Sequence, residues 1–374
     1  MRDAVRARAV VLRSLGSAPR IEDVQLGPVG AGEVLVRLRA TGLCQTDREA
    51  VEGTFRTPLP LVTGHEGAGI VEAVGDAVST VAVGDHVVLS WSPSCGACWH
   101  CLRGERVLCD AVRSATDAGT LPGGATRIRT AAGEPVHHFL STSTHADYCI
   151  VPAAGAVPVP HELAFEDACL IGCAATTGIS AATRLTPVAP GSCVAVVGCG
   201  AVGLNVIQGA RLMQPMTVVA VDPSPERLQR ATGFGATVTV NPKAESAEAV
   251  VRSVTSGRGA DFTFEAAGSE EAFRSALELT RAGGSVVFLG KVDSDATVSV
   301  RWGALMGEKR LVRSSYGGAV PMRDFSTIAR LALDGHVNLQ TLITSRITLE
   351  ELAAQLADPS EAAAGVRAVV IFDD

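Results

Sequence analysis

The sequence predicts an α/β protein in two parts, a β-rich domain and a parallel sheet covered by helices, and three observations carry that prediction. Up to about Thr177, short alternating stretches such as 33–39 and 69–74 lie between Gly and Pro residues, the pattern of a β domain with many turns. Beyond it, apolar runs of strand length alternate with segments of helical period at 194–197, 202–213, 218–221 and 225–232, the rhythm of β-α-β units. From about Gly317 the texture is mixed again and closes on the strand-like run from Arg367 to Phe372. The expected divisions are residues 1–177, 178–317 and a return segment, 318–374.

The composition suits these divisions. A chain of 374 residues with 47% hydrophobic content can bury a large core, and its length suggests two domains or more. A net charge of −7 without a Lys/Arg-rich tract argues against a nucleic-acid partner. No apolar run is expected to cross a bilayer, so no membrane partner is expected either. The N-terminal residues open on charge and show no secretory pattern, which makes the cytoplasm the expected compartment.

In the first division the spacing of Cys95, Cys98, Cys101 and Cys109 offers four thiolates to one tetrahedral zinc and leaves no position open, the mark of a structural site. This lobe is expected over residues 90–115 or so. A pair of disulfides is the alternative, disfavoured by such close spacing in a chain of intracellular character.

In the second division Gly198, Gly200 and Gly203 follow a strand and open a helix. They permit a tight turn, close approach of backbone to a pyrophosphate and close helix–sheet packing, while the helix N-terminus offers N–H groups to the anion. Asp222 closes the next strand where a carboxylate would bond the adenosine ribose, so NAD is favoured over NADP. Arg227, a little further on, could still assist a ribose phosphate.

The chain resembles the zinc-dependent medium-chain alcohol dehydrogenases along its whole length. The run Gly64-His-Glu-Gly-Ala-Gly-Ile-Val-Glu-Ala-Val-Gly resembles that family's zinc signature. The four-cysteine lobe, the Leu170-Ile-Gly-Cys segment and the glycine-rich turn follow in the family's order. The resemblance implies a GroES-like β-rich catalytic domain, into which a Rossmann-like doubly wound cofactor domain is inserted before the last segment, with the active site in the cleft between them. It also implies a catalytic zinc held by Cys44, His65 and Cys173, with the fourth position left for water or substrate oxygen. Glu66 would be a transient ligand, Asp47 would orient His65, and Thr46 would accept the alcohol proton and pass it on through the nicotinamide ribose. Zinc would favour alkoxide over alcohol while the alkoxide carbon gives hydride to NAD, and aldehyde reduction is the reverse. One catalytic and one structural zinc per chain are expected.

The resemblance also assigns Thr177 and Arg367 to the cofactor, Arg367 as the main cation near the pyrophosphate, because Gln45 stands where some relatives carry a cation. Glu49 replaces a His that ends the proton relay in many relatives, and a carboxylate is too weak a base near neutrality to be an obligatory outlet. Trp91, Phe55, Phe139 and Leu140 resemble pocket-lining positions, with Thr176, Ser114 and Tyr316 as polar edges. Arg113 resembles an Arg with which formaldehyde dehydrogenases of the family hold the carboxylate of a thiol adduct. General alcohol or aldehyde chemistry is the leading expectation. The alternatives are a thiol-adduct formaldehyde dehydrogenase, a nicotinoprotein, and a non-catalytic NAD-binding structural protein. A homodimer is expected, paired through strand edges at 285–289 and 296–300. His137, His138 and His145 are read as packing or surface residues on the strand leading to Tyr148. Cys149, Cys169, Cys193 and Cys199 are assigned no chemistry.

Overall fold

The computed structural model describes residues 4–293, 295–358 and 365–373. The chain divides into two units, one running up to Cys173 and resuming at Val320, the other Ala174–Ala319. The first division therefore falls one helical turn before Thr177, inside the continuous helix Phe165–Leu185 rather than in a linker.

Among its described residues the first unit holds a closed barrel of five strands and a seven-stranded sheet. In the barrel, Val5–Leu12 pairs antiparallel with Arg20–Leu26 and also reaches Leu61–Val62. Its residues Ala9, Val10, Val11 and Leu12 are fully buried, so one strand serves apolar faces on both sides. The spine of the larger sheet is Glu33–Leu43, an 11-residue strand. It pairs antiparallel with Glu66–Val74, Tyr148–Pro152 and the closing strand Arg367–Ile371. The return segment thus completes the first unit by hydrogen bonding to its longest strand. The registers Gly42↔Glu66 and Ala368↔Leu43 bring the end of one strand and the starts of two others to the same edge, where Cys44, Glu66 and Arg367 stand.

The second unit is a sheet of six parallel strands in the order Val238–Val240, Thr217–Val221, Cys193–Val197, Ala260–Glu265, Thr280–Phe288 and Arg310–Arg313. Every residue of Cys193–Val197 is buried, as expected of a central strand covered on both faces. The chain winds outward from this strand to one edge, returns and winds to the other, and the reversal point of such a sheet is where dinucleotides bind. Ser224, Ser246 and Ser269 cap three of the covering helices, each accepting from the backbone N–H three residues on.

Three expectations need correction. The strand at 285–289 is no edge: Thr280–Phe288 is paired on both sides, residues 296–300 form no strand, and the outer edge is Arg310–Arg313. The helix Phe165–Leu185 is, by length and composition, apolar enough to cross a membrane, with 78% of its most apolar window buried inside the protein. His137 and His138 close the strand Pro135–His138, on the barrel and not on the strand leading to Tyr148.

His138 illustrates what burial does to a titrating side chain. The residue is 1% exposed, Nε2 accepts the backbone N–H of Arg127 at 3.1 Å, and Nδ1 has no partner among the described residues. Burial, helped by Arg127 and His137, pushes its pKa down to about 3. The folded state therefore refuses a proton that the unfolded chain takes up below about 6.5. Stability linked to this residue is intact above that pH and falls by on the order of 1 kcal/mol per unit as pH drops toward 3. His138→Gln should flatten the difference in urea midpoint between pH 6.5 and pH 4.5. An unchanged slope would show that His138 does not set it.

Candidate active site and metal centres

The cysteine lobe is built from the short helix Trp99–Leu102, the turn Arg106–Leu108 and the helix Asp110–Ala118. The sulfur atoms of Cys95 and Cys101 lie 4.0 Å apart and those of Cys98 and Cys109 3.9 Å apart. Four thiolates bound to one zinc would be separated by about 3.8 Å, whereas a disulfide needs about 2.0 Å. The four sulfur atoms all lie within 4.8 Å of one another and all four cysteines are free, so the set fits a closed zinc site. The backbone N–H groups of Cys98 and Cys95 donate to the sulfurs of Cys95 and Cys109, which favours thiolate. Hydrogen bonds from the N–H groups of Ala97 and Cys98 bring Cys95 down to about 6.

The second cluster unites Cys44, His65, Glu66 and Cys173, with ligand atoms within 4.8 Å of one another. Two sulfurs, one imidazole and a carboxylate held aside fit a catalytic zinc, because three ligands leave one position open. Local sequence explains most of this placement. Cys44 caps the helix Gln45–Glu52, and Asp47, three residues on, returns a carboxylate oxygen to the Cys44 N–H at 2.9 Å. The other Asp47 oxygen meets His65 Nδ1 at 2.9 Å, so Nδ1 carries the proton and Nε2 is left for the metal. Gly64 has a φ of +95°, and a Cβ there would lie 2.4 Å from the backbone nitrogen of His145, so no other residue fits before His65. Cys173 sits in a widened, π-type turn, Ile171–Ala175, of the long helix.

The electrostatics are those of a site awaiting a cation. The Cys173 thiol donates to Cys44 and, together with Arg367 and His65, holds Cys44 well below the usual thiol range despite its burial. Cys173 is correspondingly pushed up, first by that same bond and then by burial. Burial works against protonation of His65, but Asp47 and Cys44 outweigh it and raise its pKa.

Arg367 makes contacts that the sequence did not announce. Its guanidinium is bonded to both oxygens of Glu66, at 2.7 and 3.0 Å, and to the Cys44 sulfur at 3.4 Å. Both side chains are buried, with 9% and 0% of their surfaces exposed. A residue expected at the cofactor thus also stands beside the metal cluster, where it holds Glu66 in place. Breaking a buried ion pair leaves a bare charge, so Arg367→Met should destabilise the protein by about 3–5 kcal/mol. Adding Glu66→Gln to that variant should recover most of the loss, as read by denaturant unfolding. A cost below about 1 kcal/mol for the single variant would mean that the pair is not holding this edge together.

Other expected positions divide between the units. In the first, Phe139 is fully buried, its ring 5.9 Å from His65 and 5.3 Å from Phe55, both edge to face. Ala50, Leu61, Leu140 and Trp91 pack in the same cluster. The loop behind it carries Leu140, Ser141 and Ser143 at φ between 51° and 58°. It is held by bonds from Phe139 N to Ser143 Oγ and from Thr142 Oγ to the Phe139 and Gly64 carbonyls. Thr46 is half-buried in the first turn of its helix, and its hydroxyl has no partner among the described residues. Gln45 is exposed and Glu49 half-buried on the same helix. Arg113 extends from Asp110–Ala118 with 73% of its side chain exposed, 3.4 Å from Asp110, and Ser114 beside it is exposed. His145, read from sequence as packing, lies 4.0 Å from Asp47 and is bonded to Thr63 at 2.9 Å, so it backs the residue that orients His65.

In the second unit Thr176, Thr177 and Tyr316 are buried. Gly198 has a φ of +94°, and a Cβ on Gly203 would lie 1.8 Å from the Gly198 oxygen, so the turn and the helix it opens are in backbone contact. A Cβ on Gly200 would meet nothing within 4 Å, which leaves its backbone open to an approaching pyrophosphate. Asp222 accepts the N–H groups of Cys199 at 2.8 Å and Ser224 at 2.9 Å, and the Arg227 guanidinium is 3.8 Å away. These residues fit a dinucleotide with free ribose hydroxyls.

Comparison with known proteins adds three findings. Residues 30–161 match the alcohol dehydrogenase GroES-like domain and residues 201–334 the zinc-binding dehydrogenase domain. An S-(hydroxymethyl)glutathione dehydrogenase of Paracoccus denitrificans is 33% identical over 98% of this chain and 100% of its own length. Among solved structures, an alcohol dehydrogenase zinc-binding domain protein from Burkholderia ambifaria superposes with a TM-score of 0.94 at 32% identity, covering 100% of both chains. The benzyl alcohol dehydrogenase of Acinetobacter calcoaceticus does so at 0.92 and 27%, over 99% of this chain and 100% of its own.

Proposed function

Since the chain belongs to the zinc-dependent medium-chain dehydrogenases, with their GroES-like alcohol dehydrogenase domain, we propose that its substrate is an alcohol with an apolar, ring-sized side chain, oxidised reversibly with NAD. The reaction class, interconversion of an alcohol and its carbonyl compound by a zinc-dependent oxidoreductase, is the family's own. The observation that carries the substrate proposal is the aromatic cluster beside the metal cluster, where the half-buried Phe55 and Trp91 pack with the buried Phe139, itself edge-on to His65. A benzyl-type ring meets such edges favourably.

Cys44, His65 and Cys173 would hold the catalytic zinc, which when bound supplies Lewis-acid charge next to the reacting oxygen. Thr46 presents a hydroxyl with no partner among the described residues, in the same helix turn as Asp47, suited to take the alcohol proton and hand it on. Asp47 keeps the His65 ring in one orientation, and Arg367 holds Glu66. Asp222 favours NAD, because a phosphate on the ribose would meet a buried carboxylate.

The test is steady-state kinetics with benzyl alcohol, ethanol and S-(hydroxymethyl)glutathione, each with NAD and NADP. Benzyl alcohol with NAD should exceed ethanol in kcat/KM by about tenfold or more. A second reading, the thiol adduct, is favoured by the name of the Paracoccus relative and by Arg113. A higher kcat/KM for the adduct, reduced by Arg113→Ala, would replace the first reading with it. We further propose a cytoplasmic homodimer. Four metal-binding thiols suit a reducing compartment, and the outer strand Arg310–Arg313 offers an edge to pair.

A further inference from the structure

The second unit holds a cavity of about 340 Å³ lined by Arg252, Arg258, Arg281, Arg301 and Lys309. Its carboxylates are fewer, Glu248 and Glu278. This is a local excess of positive charge in a chain whose net charge is −7. The cavity lies at the amino ends of the parallel strands, since among its lining residues Arg258 just precedes Ala260–Glu265, Thr280 begins Thr280–Phe288 and Lys309 immediately precedes Arg310–Arg313. The glycine-rich turn follows the carboxyl end of Cys193–Val197, so the two places are separated by the length of the strands, roughly 15 Å. The cavity is therefore separate from the turn suited to the dinucleotide.

Part of this charge serves the fold. Arg252 pairs with Glu248 at 2.9 Å in the last turn of Ala247–Val254, and Lys309 donates to the Leu277 carbonyl near the end of Glu270–Leu279. Both offset the negative ends of helices. Arg281 is paired with Asp261 at 2.6 Å. Two guanidiniums are left over. Arg301 touches Glu278 only at 3.8 Å, with 71% of its side chain exposed, and Arg258 has no side-chain partner among the described residues. Lys309 is pushed below the usual lysine range by burial and then by Arg252 and Arg301, a crowding of cations that a bound anion would relieve.

We propose that this cavity is a second anion site, which binds a small dianionic phosphate group through Arg258 and Arg301, with Arg252, Arg281 and Lys309 supplying the surrounding field. Guanidinium groups suit the group's planar pairs of oxygens, and a cavity of this volume admits free phosphate or a phosphate monoester.

The site is tested on the whole protein saturated with NADH, so that the dinucleotide turn is filled, by calorimetric titration at constant ionic strength. Inorganic phosphate is one probe and glucose 6-phosphate the other, and whichever binds more tightly identifies the source. Saturable binding of either, weakened about tenfold or more in Arg258→Ala/Arg301→Ala with an unchanged melting temperature, is the expected result. Because the Arg258 side chain is exposed and has no partner among the described residues, Arg258→Ala alone serves if the double variant does not fold. Absence of saturable binding by both probes, equal binding in the variant, or binding only when NADH is omitted would overturn the proposal.

Discussion

Cys173→Ala protein is expected to contain about one zinc per chain where the unaltered protein contains about two, and to oxidise alcohols at least about a thousandfold more slowly. The substitution removes one of two sulfurs from the open cluster while leaving the Asp47–His65 and Glu66–Arg367 pairs in place. Cys173 is half-buried at the wide helical turn, so the fold should tolerate alanine, and far-ultraviolet circular dichroism should be unchanged. Loss of catalysis with retention of the other zinc would show that the two sites are independent. A variant that kept both its zinc and its rate would remove Cys173 from the ligand set.

The second large effect concerns stability. Cys109→Ser is expected to release the other zinc and lower the melting temperature by on the order of 10 °C. Cys109 is 1% exposed, caps the helix Asp110–Ala118, accepts the N–H of Cys95, and stands 3.9 Å from the Cys98 sulfur. The apolar contacts in the lobe are few, namely Cys101, Val112 and Ala111 packed with Cys98 and Cys109, so without the metal little else would order it. Limited proteolysis should then cut between Cys95 and Ala118 before any other region. A zinc-depleted variant with an unchanged melting temperature and cleavage pattern would show that the lobe folds by packing alone.

The sequence was most legible where chemistry is local. A cap and a carboxylate three residues apart place Cys44 and Asp47, and a run of 15 residues carries all four sulfurs of the lobe. Glycines 198, 200 and 203 reveal a turn because only their spacing and missing side chains allow it. The pairing of Arg367 with Glu66 was not legible, because the two lie 301 residues apart and nothing near either residue announces the pair. His145 was read as packing for the same reason, since its partners Thr63 and Asp47 reach it only through a loop with left-handed residues. The outer strand was missed because Arg310–Arg313 is short and charged at both ends, while the apolar run that resembled an edge is paired on both sides.

By itself, then, the sequence determined the two-part α/β plan, the four-cysteine set and the dinucleotide turn, because each rests on periodicity or on donor spacing that short-range geometry enforces, whereas the set of Cys44, His65 and Cys173 is scattered along the chain and came only from the family resemblance. Only the tertiary structure decided that Glu66 and Arg367 hold each other beside the metal cluster, that Phe139 faces His65, and that five cations from a helix, a strand and the connections between elements line one cavity. Those contacts join residues far apart in the chain. They are made by strand register and helix packing, which no local pattern of side chains specifies.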